Sequence, residues 1–100
     1  MKTEIKENGN QLIATFSGRL DTAAAVTTAE DVKPLMAAEK KEIILDCSEL
    51  EYISSSGLRI FLSIRKEAAT HGSKVIVRNI NADTRQVFMM TGFISLFEIQ

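Results

Sequence analysis

Tryptophan is absent from this chain of 100 residues, and cysteine, proline, histidine and tyrosine each occur once. A single cysteine, Cys47, excludes an internal disulfide, and with His71 as the only histidine a zinc site built from nitrogen and sulfur ligands is excluded too. Cys47 directly follows an apolar run, which predicts a buried structural thiol, not a reactive one. No run approaches the roughly 18 consecutive apolar residues that a membrane-spanning helix needs. Neither sign of charge dominates: 12 Lys and Arg face 13 Asp and Glu, for a net charge of -1. A nucleic-acid binder usually carries a basic face, so that class is disfavoured. Residues 1–7 lack the apolar core of a signal peptide, which gives the expectation of a cytoplasmic protein.

What is present is ordinary globular material, 45% hydrophobic and 25% charged, in an amount that suits one domain spanning residues 1–100. Residues 2–7 alternate weakly and run into Glu7-Asn8-Gly9-Asn10. Asn-Gly between two strands is a strong hairpin signal, because both turn positions of a type I′ turn want positive φ. Leu12, Ala14, Phe16, Gly18 and Leu20 then share one face of a second strand. Residues 22–40 read as helix, with an interruption near Val32 to Pro34. Thr28 and Asp31 resemble a capping box that would restart it.

Ile43-Ile44-Leu45 is a continuous apolar strand, as expected for a central position covered on both faces. A helix from about Ser56 to His71 carries a wide apolar stripe and ends at Gly72. Val75-Ile76-Val77 is another buried strand, Asn81 caps a helix ended by Gly92, and residues 93–99 contain a last short strand. The order β-β-α-β-α-β-α-β predicts an α/β fold. Its mixed sheet has four to five strands, an N-terminal hairpin followed by β-α-β units, and packed helices. Strands three and four should be parallel neighbours inside the sheet, with Phe16, Ile44, Leu58, Phe61, Leu62, Val75 and Ile76 in the core.

Chemistry concentrates between Asp46 and Leu58. Ser54-Ser55-Ser56-Gly57 places three hydroxyls around one helix N-terminus, where orphan N–H groups and the dipole favour negative charge, phosphate included. Serines that only cap the helix are the alternative. A serine hydrolase does not fit, since Gly-x-Ser-x-Gly is missing. Ser55 and His71 would also lie at opposite ends of one helix, roughly 20 Å or more apart. A phosphate-binding loop of the Gly-x-x-x-x-Gly-Lys type is missing as well. Asp46, Glu49 and Glu51 make at best a weak cation site, because the two glutamates most simply face solvent in a loop.

Three separated segments carry a likeness: Gly18-Arg19-Leu20-Asp21, Asp46-x-Ser48-x-Leu50-x-Tyr52-Ile53, and Ser55-Ser56-Gly57-Leu58. With Met90-Thr91-Gly92-Phe93 after the last helix, nearly the whole chain resembles the STAS-domain anti-sigma-factor antagonists. A monomer without cofactor or metal is expected, and the resemblance implies a domain without catalysis, which binds an anti-sigma factor serine kinase when unphosphorylated and so releases a sigma factor. The kinase switches it off by phosphorylating a serine, and a phosphatase resets it. The phosphorylated position falls on Ser55, the family's loop acid on Asp21, and the surrounding switch surface on Ser54, Ser56 and Gly57. The family has an acid where this chain has Ser54, which is a departure. The alternative role within the same family is a non-phosphorylated interaction subunit of a transporter or signalling complex.

Overall fold

The computed structural model describes residues 1–100. Strands β1 (Lys2–Asn8) and β2 (Gln11–Leu20) form the hairpin. They are followed by α1 (Thr22–Asp31), α2 (Lys33–Met36), β3 (Glu42–Ile53), α3 (Ser55–Thr70), β4 (Lys74–Arg78), α4 (Ala82–Met90), a 3₁₀ turn (Phe93–Ser95) and β5 (Glu98–Ile99). The five strands stand in the order β1-β2-β3-β4-β5. Only the β1–β2 pair is antiparallel. The α/β class, the hairpin and the parallel β3–β4 pair inside the sheet are as the sequence predicts. The hairpin turn is shifted by one residue: Asn8 pairs with Gln11, and of the turn residues Gly9 alone has positive φ (61°), the pattern of a type II′ turn.

Every β-α-β connection steps one strand further in the same direction. Right-handed crossovers therefore place all helices on one face of the sheet. One cluster on that face joins Ala14, Phe16, Ile43, Leu45 and Val77 of the strands to Val32, Leu35, Leu58, Phe61, Ile64 and Phe88 of the helical segments. Phe16, Phe61, Phe88 and Phe97 form a chain of ring contacts through it, with centroids 5.1, 6.2 and 5.9 Å apart. Ile44 and Ile76 are buried but lie outside this cluster, in register with Ile13 on the opposite face. Ile43, Ile44 and Leu45 are thus buried on both faces of the central strand, as expected, although the helices cover only one; Ile44 is flanked on the other by its strand neighbours. Leu62 and Val75, expected in the core, are half-buried.

The helix break falls where Pro34 predicts it, but not for the capping reason. Thr28 is buried inside α1, and the chain turns at Val32 (φ -90°, ψ 0°), so that Pro34 sits in the first turn of α2, where its missing N–H costs nothing. Val32 and Leu35, both fully buried, hold the two sides of the break to the core. α3 ends in a Schellman motif: the Ser73 amide donates to Ala68 (2.8 Å), the Gly72 amide donates to Ala69 (3.3 Å), and Gly72 has φ 73°.

The largest departure from the sequence reading is β3, which does not stop at Asp46. It continues to Ile53, still paired with β2, past two irregularities opposite Phe16 and between Gly18 and Arg19. Each bulge inserts an extra residue on β3, so the buried positions Cys47, Leu50 and Ile53 recur every third residue instead of every second. Asp46 secures the first bulge. Its carboxylate accepts from the Ser48 amide (3.0 Å) and from Asn79 Nδ2 (3.2 Å) on the β4 side. Partial burial works against that charge, but these bonds and the nearby Arg78 outweigh it and hold the carboxyl below its usual range.

Because Phe61 touches both Phe16 and Phe88 in the centre of the cluster, Phe61→Ala is expected to cost about 3–5 kcal/mol in chemical denaturation. A loss below about 1 kcal/mol would place Phe61 outside the core.

Candidate functional site

Three helices begin at the edge of the sheet where β2 and β3 end, and each is capped by a short polar side chain. Asp21 follows β2 directly, and its Oδ1 accepts from the Ala24 amide at 2.8 Å, opening α1. Ser54 follows β3, and its Oγ accepts from the Gly57 amide at 3.2 Å, opening α3. Asn81 caps α4 through the Thr84 amide (2.7 Å), and its Nδ2 donates to the Leu50 carbonyl (3.0 Å), which ties α4 to β3 between the bulges. These caps satisfy N–H groups that helix starts otherwise leave orphaned.

The first two starts are joined by the backbone. The Ser54 amide donates to the Leu20 carbonyl at 2.9 Å, so Asp21 and Ser54 leave the sheet side by side. Gly57 makes this approach possible. A Cβ at that position would lie 2.7 and 2.9 Å from Leu20 side-chain atoms and 2.8 Å from one of Ile53. The glycine is therefore required for close packing, its backbone being ordinary helix. Gly57, which the family resemblance assigns to the switch surface, is buried and seats the first turn of α3 on Leu20 and Ile53.

The three serines have separate positions. Ser54 is the cap, Ser56 is half-buried, and Ser55, the first residue of α3, is exposed with its hydroxyl bonded to no other group of the protein. α3 has no acid in its first turn, so nothing on the helix neutralises its positive end. Arg19 and Tyr52, paired across β2 and β3 immediately before Leu20 and Ile53, stack on each other, the guanidinium lying 4.4 Å from the ring centroid. Sequence reasoning missed this pair, since register past two bulges is needed to bring the two together.

Other candidates separate from this edge. Glu49 and Glu51 are exposed as expected, but on β3 and not in a loop. Cys47 is 1% exposed, and burial, with Asp46 beside it, pushes its thiol up to about 12, far from thiolate chemistry at neutral pH. His71 caps the other end of α3, its Nδ1 2.9 Å from the Glu67 carbonyl, roughly 24 Å along the axis from Ser55. No helix is long and apolar enough to cross a membrane.

A family model described as STAS domain matches residues 2–100. The Bordetella bronchiseptica protein BtrV, provisionally named an anti-sigma factor antagonist, is 27% identical over 99 residues, spanning 99% of this chain and 85% of its own. The structure of the anti-sigma factor antagonist SpoIIAA in its unphosphorylated form is similar with a TM-score of 0.74 at 17% identity, covering 99% of this chain and 87% of that one. SpoIIAA from Bacillus in its phosphorylated form gives 0.70 at 20% identity, with 99% and 91% covered. A sulfate transporter family protein from Wolinella succinogenes gives 0.77 at 14% identity, with 92% and 77% covered. The structural likenesses establish a shared fold.

Gly57→Ala is expected to destabilise the domain by about 1–3 kcal/mol, because the added methyl must displace Leu20 or Ile53 or lift α3 from the sheet. Equal denaturation midpoints for this variant and the wild type would show that the first turn of α3 is not seated as described.

Proposed function

The chain belongs to the STAS domain family, and on that footing we propose that it is an anti-sigma factor antagonist controlled by phosphorylation of Ser55. The observation that carries this reading is the division of labour among the serines. Ser54 does the capping, which leaves the Ser55 hydroxyl exposed, without a structural task, at the positive end of a 16-residue helix. In this reading the unphosphorylated protein binds an anti-sigma factor serine kinase in the cytoplasm and displaces the sigma factor that the kinase holds. The kinase then transfers the terminal phosphoryl group of ATP to Ser55 Oγ, releasing ADP and the hydroxyl proton, and a phosphatase restores the serine by hydrolysis. The domain itself performs no chemistry.

A phosphate brings about −1.5 to −2 charges to its site. At the start of α3 the dipole and N–H groups accept that charge, and the Ser54–Leu20 bond and the Gly57 contact leave the helix no room to shift. The switch therefore works by changing the charge of a fixed docking surface that includes Asp21, Ser54 and Ser56. Ser54, where the family pattern has an acid, makes the unmodified surface less negative, so the phosphate produces a larger relative change here.

A second reading is favoured by two observations, the fold shared with a sulfate transporter family protein and the missing acid at Ser54. In it the same edge docks a transporter or signalling partner constitutively, and Ser55 stays unmodified.

Calorimetric binding to the candidate kinase separates the readings. Ser55→Asp is expected to weaken binding by about tenfold or more through repulsion and desolvation. Its thermal stability should stay within about 1 kcal/mol of the wild type, since one negative charge at a helix start is mildly favourable. Ser55→Ala should bind like the wild type and resist inactivation by kinase and ATP. Equal affinities for all three proteins, with no phosphate on Ser55 after incubation with the kinase, would favour the constitutive subunit.

A further inference from the structure

The exposed stripe of α3 that begins at Ser55 continues one turn later with Arg59, then Ser63 and Lys66. Arg59 is the only charged residue among residues 55–62. Its guanidinium enters no ion pair and no hydrogen bond with the rest of the protein. Arg19, next to Leu20 at the end of β2, is committed to the Tyr52 ring. Residues four apart on a helix face each other with Cβ atoms roughly 5–6 Å apart, and an anion placed N-terminal to the cation is the favourable order. Ser55 and Arg59 have that spacing and, once Ser55 is phosphorylated, that order.

We propose that Arg59 is the internal counter-ion of the phosphate on Ser55. This rests on the reading of Ser55 as the phosphorylated residue. The guanidinium reaches back one turn, and its fork of N–H donors binds the phosphoryl oxygens, a match that a planar guanidinium makes in a bidentate way. Unmodified protein presents a free cation beside a free hydroxyl, available to an acidic or phosphate-bearing group of the docking partner. Phosphorylated protein presents neither, because the new anion holds the cation. The modification thus removes a positive contact from the docking face in addition to adding a negative charge. Asp21 at the start of α1 opposes the dianion; Arg59 and the start of α3 favour it, and α3 has no first-turn acid to compete for Arg59.

The pairing is read directly by ³¹P NMR. Phosphoserine is incorporated at position 55 during translation, so no kinase is required, and the second phosphate ionisation, ordinarily near 6, is titrated. A cation at this distance favours the dianion and lowers that value. In the Arg59→Gln protein it is expected to lie about 0.3 unit or more above that of the protein with Arg59. Lys66→Gln, on the same stripe but further along the helix, should leave it unchanged. Arg59 is exposed, so its replacement is compatible with folding. Identical values with and without Arg59 would overturn the proposal, and so would equal increases for both variants, which would indicate a general field of the helix surface. A kinase that fails to modify Ser55 would count against the functional reading and leave the titration result intact.

Discussion

The pairing of β3 with the whole of β2, carried past two bulges to the level of Leu20 and Ile53, is the constraint on which the site depends. An unbulged strand would alternate its side chains and turn some of Cys47, Leu50 and Ile53 toward water. With an extra residue at each bulge, all three stay buried while the strand keeps pairing. The reward is positional. The ends of β2 and β3 arrive together, the Ser54 amide meets the Leu20 carbonyl, and α1 and α3 start side by side. Asn81 uses the same strand, through the Leu50 carbonyl, to bring the start of α4 to that edge.

Packing then limits what a modification at this edge can do. Gly57 lets α3 press against Leu20 and Ile53, and Leu58 beside it and Phe61 one turn further enter the core. A helix start anchored on both the backbone and the core has no second arrangement within easy reach. In the proposed reading, regulation is accordingly a matter of charge: a serine that caps and stays neutral, a neighbouring serine that is free to accept phosphate, and an arginine one turn on that is free to answer it. Such changes would be local ones on a rigid surface, and in this reading they act on a partner through complementarity and not through remodelling of the domain.

Much of the fold was legible because its signals are local. Ile43 to Leu45 and Val75 to Val77 announce buried strands, Pro34 the helix break, Asn81 a cap, and Gly72 a helix end. The second half of β3 was not legible, because bulges destroy the alternation by which a strand is recognised and make residues 46–53 resemble a loop. The hairpin turn slipped by one because both Asn8-Gly9 and Gly9-Asn10 contain a residue suited to positive φ, and pairing decides between them. At the site, the serines and Asp21 were visible in the sequence as helix starts. The role of Gly57 was not, since its reason is Leu20, far away in the chain, and neither was the Arg19–Tyr52 pair, whose contact exists only in the bulged register.

The central claim is that phosphate on Ser55 changes the charge of a fixed surface while the fold stays as it is. Backbone amide spectra of the unmodified protein and of the protein carrying phosphoserine at position 55 test it most directly. The account predicts chemical-shift changes confined to the joined helix starts, around Leu20 to Ala24 and Ser54 to Arg59, with unaltered hydrogen-exchange protection in β3, β4 and the body of α3. Changes that spread through Phe61, Val77 and Phe88, or a loss of protection in those elements, would contradict it and make the switch a conformational one.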